Sequence, residues 1–310
     1  MTAGQDIGAE QAVFRAAMED YFGTLDGTVG VMVRDLRTGR ELAYNHRERF
    51  PTASTLKVPL LYELFRQADE GRVDLGERIA LRHDTRVPGS GILQHLDEGL
   101  QPTLRDLAEL MIIVSDNWAT DLVYERIGKA NLAVTLQRLG LAQTHVPMTI
   151  RELFITLTDL DPQDPGLTYQ ILRDRLDSYR AAADNLAYSD DTRNDVSSPA
   201  DMVRLMTLIH EGHGLSAQGR ESILRILRNQ NFNTIIPARL PDDEKIEVAH
   251  KTGSLRGIRN DVGIVYAPRA TYAIAFMSKG HGDIPELVDR MARASRWIWD
   301  HLTGTVPVAS

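Results

Sequence analysis

Strand-like patterns sit at the two ends of this 310-residue chain, and helical patterns fill the long stretch between them. That order points to one sheet layer built from both ends and interrupted by a helical insertion. Thr28 to Arg34 and Arg40 to Tyr44 read as strands around Asp35-Leu-Arg-Thr-Gly39, which predicts an antiparallel hairpin. Lys245 to Thr252, Asp261 to Tyr266 and Thr271 to Met277 repeat the grammar, with Pro268-Arg-Ala270 as a turn. A first helix is expected over Ala9 to Tyr21, with Val13, Phe14, Met18, Tyr21 and Phe22 on one face. A last one runs from Ile284 to Leu302, with Leu287, Met291, Ala294, Ile298 and Leu302 on one side. In the middle, Thr103 and Asp106 resemble a capping box opening Leu104 to Val114, and Ser198-Pro199 opens Ala200 to His210, which Gly212 and Gly214 can stop. The expected class is α/β (α+β): residues 1–51 and 241–310 form an antiparallel sheet flanked by helices, and 52–240 an inserted all-α subdomain. The whole is expected to act as one functional domain, with a cleft between the parts as the default place for a site.

Composition then narrows the chemistry. The chain has no cysteine, which excludes a thiolate nucleophile, a disulfide framework and Cys-ligated metal. The 35 basic and 43 acidic residues give a net charge of −8, against the basic stripe of a dedicated nucleic-acid binder. Only five of the basic residues are Lys: 57, 129, 245, 251 and 279. Lys can lose its proton inside a protein and Arg effectively cannot, so each Lys is worth inspecting. No apolar run approaches the roughly 18 to 20 residues that cross a bilayer. Residues 1–8 lack the basic and apolar regions of a secretory signal.

Three short motifs could carry a reaction. In Phe50-Pro-Thr-Ala-Ser54-Thr-Leu-Lys57, a helix starting near Ser54 puts hydroxyl and amine on one face, a nucleophile beside a base. Pro59 counts against a regular helix there unless the helix begins close to Ser54. Ser115-Asp116-Asn117 follows an apolar helix, and a turning segment can aim residues 115 and 117 at one spot. Lys251-Thr252-Gly253-Ser254 ends a predicted strand, where a glycine permits close approach of another backbone or a ligand. Taken singly, each is more simply a helix cap, a helix terminus and an edge turn.

Together, S-x-x-K, S-D-N and K-T-G in this order resemble the signature of class A β-lactamases and penicillin-binding proteins. Phe50-Pro51 and Arg259-Asn-Asp261-Val-Gly-Ile extend the resemblance. It implies an acyl-enzyme on Ser54, with Lys57 as base or relay and Lys251 supplying the nearby cation. Ser115 passes a proton to the leaving nitrogen, Asn117 binds a substrate amide, and Asp116 is structural. The N–H groups of Ser54 and Ser254 form an oxyanion hole, and Thr252, Gly253, Ser254 and Arg259 line a carboxylate pocket. It further implies a small β-lactam or acyl-D-alanyl substrate, a part in antibiotic resistance, a monomer without metal or cofactor, and a secreted or periplasmic location.

One departure stands out. The E-x-x-L-N motif, whose Glu activates the deacylating water in class A enzymes, is absent; in its place lies the acidic stretch from Glu152 to Arg193, with an extra helix expected from Leu167 to about Ala183. Glu152 and Asp184 are the acids best placed by order to substitute, though both read more simply as surface acids. The first expectation is a serine β-lactamase; the second is a peptidase or esterase of the same superfamily, acting on D-alanyl peptides; the third is a non-catalytic sensor. His210-Glu-Gly-His213 is not a metal motif, since its histidines are three apart with Gly between. Gly89-Ser-Gly91 lacks the context of a dinucleotide fingerprint, and by resemblance Ser90 lies near the site.

Overall fold

A computed structural model describes residues 3–242 and 244–304. In chain order the elements are α1 (Ala3–Phe22), β1 (Thr28–Asp35), β2 (Glu41–Tyr44), β3 (Phe50–Pro51), α2 (Lys57–Asp69), α3 (Leu104–Ile113), α4 (Asn117–Ile127), α5 (Lys129–Arg138), α6 (Ile150–Leu157) and α7 (Tyr169–Ser178). They continue with β4 (Val196–Ser197), α8 (Pro199–Glu211), α9 (Ala217–Arg228), β5 (Glu247–Leu255), β6 (Ile258–Tyr266), β7 (Thr271–Lys279) and α10 (Ile284–Thr303). The chain divides into two compact units. A sheet unit takes the chain up to Thr55, Ser197–Glu211 and the chain from Phe232 on; a helical unit takes Leu56–Val196 and Gly212–Asn231.

In the sheet unit both chain ends build one five-stranded sheet in the order β2-β1-β7-β6-β5. Every neighbouring pair is antiparallel, with Val31 opposite Tyr44 and Phe276, and Lys251 opposite Val262. The hairpin expected at the start forms around Gly39, which adopts a φ of 76° that a side chain would resist. Phe14, Met18 and Phe22 of α1 and Leu287, Met291, Ala294 and Ile298 of α10 join Val31, Ile274 and Phe276 in one core. The helical face differs in one residue from expectation: Val13 is 44% exposed, because neighbours in a helix lie about 100° apart and Phe14 takes the buried direction. Ser198 caps α8 by accepting the Asp201 N–H at 3.1 Å, with Pro199 as first helical residue.

In the helical unit α2 is buried almost all round, from Lys57 to Phe65, as befits a central helix. Its buried Glu63 takes both Arg66 and the Gln67 amide. Thr103 and Asp106 form the capping box of α3. The extra helix exists as α7, shorter than expected: Thr168 caps it, accepting the Ile171 N–H, and the chain turns extended at Tyr179. No helix among the described residues is long and apolar enough to cross a membrane.

Candidate active site

The Ser54 segment is a 3-10 turn, Ala53–Leu56, that runs directly into α2 at Lys57. This start places Pro59 in the first helical turn, where a missing N–H leaves no bond unmade. Between Phe50 and Phe65 every residue is buried except Ser54. The segment therefore presents one hydroxyl. Ala53 just before it has φ 45°, a left-handed conformation that costs an alanine about 1–2 kcal/mol. Surrounding bonds hold that conformation: the Thr52 carbonyl accepts the Thr55 N–H and hydroxyl, and Asn260 Nδ2 donates to the carbonyls of Pro51 and Thr52, both at 2.9 Å.

Within the helical unit, Lys57 meets two further motif residues. Its Nζ donates to the Ser115 carbonyl at 2.7 Å, the Ser115 hydroxyl at 3.0 Å and Asn117 Oδ1 at 3.0 Å. Ser115 is left-handed, with φ 55°, and this turn aims both its oxygens at the amine. Asp116 is structural: one carboxylate oxygen caps α4 through Ala119, and the other accepts the N–H groups of Ile92 and Leu93. Asn117 opens α4, donating its backbone N–H to the Ser90 carbonyl and Nδ2 to the Pro88 carbonyl, each at 3.0 Å. Ser90 is exposed, with its hydroxyl on the Val114 carbonyl. A Cβ at Gly89 would lie 2.9 Å from Asn117 Nδ2 and 3.4 Å from the Phe154 ring. Pro88, Gly89 and Phe154 were not among the expected site residues; the paired glycines 89 and 91, with φ 94° and 105°, were their one sequence signal.

Within the sheet unit, Lys251-Thr-Gly-Ser lies on β5 against the serine segment. A Cβ at Gly253 would sit 2.7 Å from the Thr52 carbonyl oxygen and 3.1 Å from the Thr55 nitrogen, so only glycine lets the two backbones come this close. Lys251 is fully buried and donates to the Thr252 carbonyl at 2.8 Å. Burial lowers its ammonium to about 7, against the pull of the Asp261 carboxylate. Thr252 is nearly buried and Ser254 exposed; Ser254 pairs across the ladder with Arg259. The Arg259 guanidinium donates to the carbonyls of Leu255 and Ile258, and burial lowers its pKa.

Of the two expected acids, one is engaged. Glu152 closes the α6 capping box and pairs with Lys129, which with the Thr149 bonds holds its pKa low despite opposing burial. Asp184 sits exposed in a turn. Two acids not singled out beforehand are withdrawn from solvent, Asp195 fully and Asp121 in part. Asp121 accepts the N–H groups of Ile150 and Arg151 at 2.7 and 2.9 Å, and burial raises it to about 7. Asp195 accepts the Met148 N–H, and burial raises it well above the usual carboxylate range. No cluster of His, Cys, Asp and Glu suited to a metal occurs among the described residues.

A family profile described as "Beta-lactamase enzyme family" matches residues 12–302. The chain belongs to the class A β-lactamase family of serine enzymes. Among curated relatives, a β-lactamase of Bacillus licheniformis is 29% identical over 82% of this chain and 71% of its own length; β-lactamase AER-1 of Aeromonas hydrophila is 27% identical over 81% and 73%. Among solved structures, a β-lactamase from Sphaerobacter thermophilus superposes with a TM-score of 0.77 at 27% identity, covering 96% of this chain and 98% of that one. PBP-A gives 0.76 at 28% identity, covering 93% and 95%.

Proposed function

We propose that the protein is acylated on Ser54 by β-lactams and releases the opened product slowly. The carrying observation is the buried Lys57 amine within 3.0 Å of both Ser115 Oγ and Asn117 Oδ1, one turn after the single open hydroxyl of its segment. Ser54 Oγ attacks the ring carbonyl while Lys57 takes its proton. Ser115 passes a proton to the ring nitrogen as the C–N bond breaks. The N–H groups of Ser54 and Ser254 stabilise the oxyanion. Thr252, Ser254 and Arg259 bind the substrate carboxylate, with Lys251 as the cation nearby, and Asn117 has one Nδ2 hydrogen left for a side-chain carbonyl. The support for slow release is the missing E-x-x-L-N glutamate, with Glu152 already paired to Lys129 and Asp121 and Asp195 already accepting backbone N–H groups.

The same engagement of acids, with the likeness to PBP-A, supports a second reading, a peptidase of acyl-D-alanyl substrates for which penicillin is a slow inhibitor. Intact-mass time courses with benzylpenicillin test the acylation that both readings share, and a peptide assay separates them. A Ser54 adduct that forms in seconds and persists for many minutes, absent in Ser54→Ala, is expected. Release of D-alanine from an acyl-D-Ala-D-Ala peptide would favour the peptidase. Failure of any acylating probe to label Ser54 would sink both and leave a non-catalytic sensor.

A further inference from the structure

The inserted helix α7 reaches the loop that holds Asn117. Tyr169, its first residue, donates its hydroxyl to Gln94 Oε1 at 3.0 Å. The other end of the Gln94 amide donates to the carbonyls of Gly89 and Gly91, and Gln94 itself is 8% exposed. Beside this chain of bonds the Arg86 guanidinium carbon lies 5.4 Å from the centre of the Tyr169 ring and 5.6 Å from that of buried Trp118. Arg86 also donates to the Leu96 carbonyl, and the indole of Trp118 donates to Thr85. A half-buried cation within 6 Å of two ring centres, one of them on a buried indole, is attracted to both. The loop 86–96 is thus fastened at both ends, and between them it presents the Pro88 and Ser90 carbonyls that receive Asn117.

We infer that Tyr169 is a positioning residue for substrate selection: through Gln94 and Arg86 it sets the 86–96 loop, and through the loop the amide of Asn117. The inference rests on the acylation reading above for its consequence, not for the clamp itself. Asn117 Nδ2 has two hydrogens, and Pro88 fixes the direction of one. The other is thereby aimed, and it suits the carbonyl of an acylamino side chain on the substrate. Lys57 still holds Oδ1, but a loosened loop releases the hold on Nδ2 and lets the amide tilt, so substrates bearing that carbonyl lose more than substrates lacking it. Tyr169 contributes two separable parts: its hydroxyl makes one neutral hydrogen bond, and its ring is one of the two that Arg86 lies over.

The test compares Tyr169→Phe and Tyr169→Ala with the unaltered chain, using benzylpenicillin and 6-aminopenicillanic acid, which lacks the side-chain carbonyl. Loss of one neutral hydrogen bond predicts about a 3- to 10-fold fall in the second-order acylation rate with benzylpenicillin for Tyr169→Phe. Loss of the ring contact as well predicts about 10- to 100-fold for Tyr169→Ala. With 6-aminopenicillanic acid both variants should stay within about 2-fold of the unaltered chain, and Tyr169→Ala should add nothing on top of Asn117→Ala. Amide hydrogen exchange at Ile92, Leu93 and Asn117 should rise in Tyr169→Ala, a readout that needs no substrate. Equal losses with both penams, or no loss with either, would overturn the selection role. Unchanged exchange would overturn the clamp. If neither penam labels Ser54 in the unaltered chain while exchange rises as expected, the acylation reading fails and the clamp stands.

Discussion

Each unit buries one motif lysine, and the two are treated differently. In the helical unit Lys57 finds three oxygen acceptors at 2.7 to 3.0 Å, all placed by the Ser115 turn and the start of α4. In the sheet unit Lys251 donates to the carbonyl of the next residue and feels Asp261 through space, and its ammonium is lowered to about 7. A densely ligated amine is fixed in position, whereas a thinly ligated one is poised to change charge near neutral pH. The first suits a proton carrier that must stay in line with a hydroxyl. The second suits a cation whose strength a bound carboxylate can restore.

The largest break in this contrast should come from Lys57→Arg, which keeps the charge and removes the capacity to act as a base. Loss of general base catalysis predicts a fall in acylation of about 10²- to 10⁴-fold, read as the rate of the Ser54 adduct by mass; retention of the rate would mean another group takes the proton. A smaller effect is expected at Lys251. As pH rises above about 7 the free ammonium loses its proton, so acylation by a carboxylate-bearing substrate should decline on the alkaline side. Lys251→Arg should abolish that alkaline limb, because Arg holds its charge past about pH 12. A limb that survives the substitution belongs to a different residue.

Stability should carry the same contrast with opposite signs. The folded pKa of Lys251 lies below its ordinary value of 10.5, so between about 7 and 10.5 the unfolded chain binds more protons and stability rises with pH. For Asp121 the folded pKa of about 7 lies above the ordinary 3.8, so its contribution is present at acid pH and lost as pH rises through about 7. Denaturant midpoints across pH 4 to 9 should flatten on the acid side in Asp121→Asn and on the alkaline side in Lys251→Met. At neutral pH Asp121→Asn is the mildest of these changes. Its amide keeps one acceptor for the N–H groups of Ile150 and Arg151, at a net cost of about 1 kcal/mol.

The sheet unit was the more legible of the two. Its strands alternate around turn residues, and its two terminal helices have regular apolar faces, so β1, β7 and α10 fell close to their expected bounds. The three motifs were legible because their spacing is short. What pattern could not supply was backbone conformation and long-range burial. Nothing in Thr-Ala-Ser marks Ala53 as left-handed, and Ser115 reads as an ordinary helix terminus until its φ is known. Asp121 sits mid-helix in a stretch with Glu125 and Arg126 and reads as a solvent-facing acid; only the arrival of α6, whose first N–H groups it accepts, takes it partly out of water. Phe154, for the same reason, becomes part of the Asn117 surroundings only through a loop 65 residues earlier, at Gly89.

The solitary exposure of Ser54 in a chain without cysteine has a practical corollary. Ser54→Cys would create the sole thiol of the molecule at the head of α2. Its rate of alkylation as a function of pH would report directly on the field at that helix start, with no background from any other sulfhydryl. That position thus doubles as an address at which a single spectroscopic or fluorescent reporter can be installed.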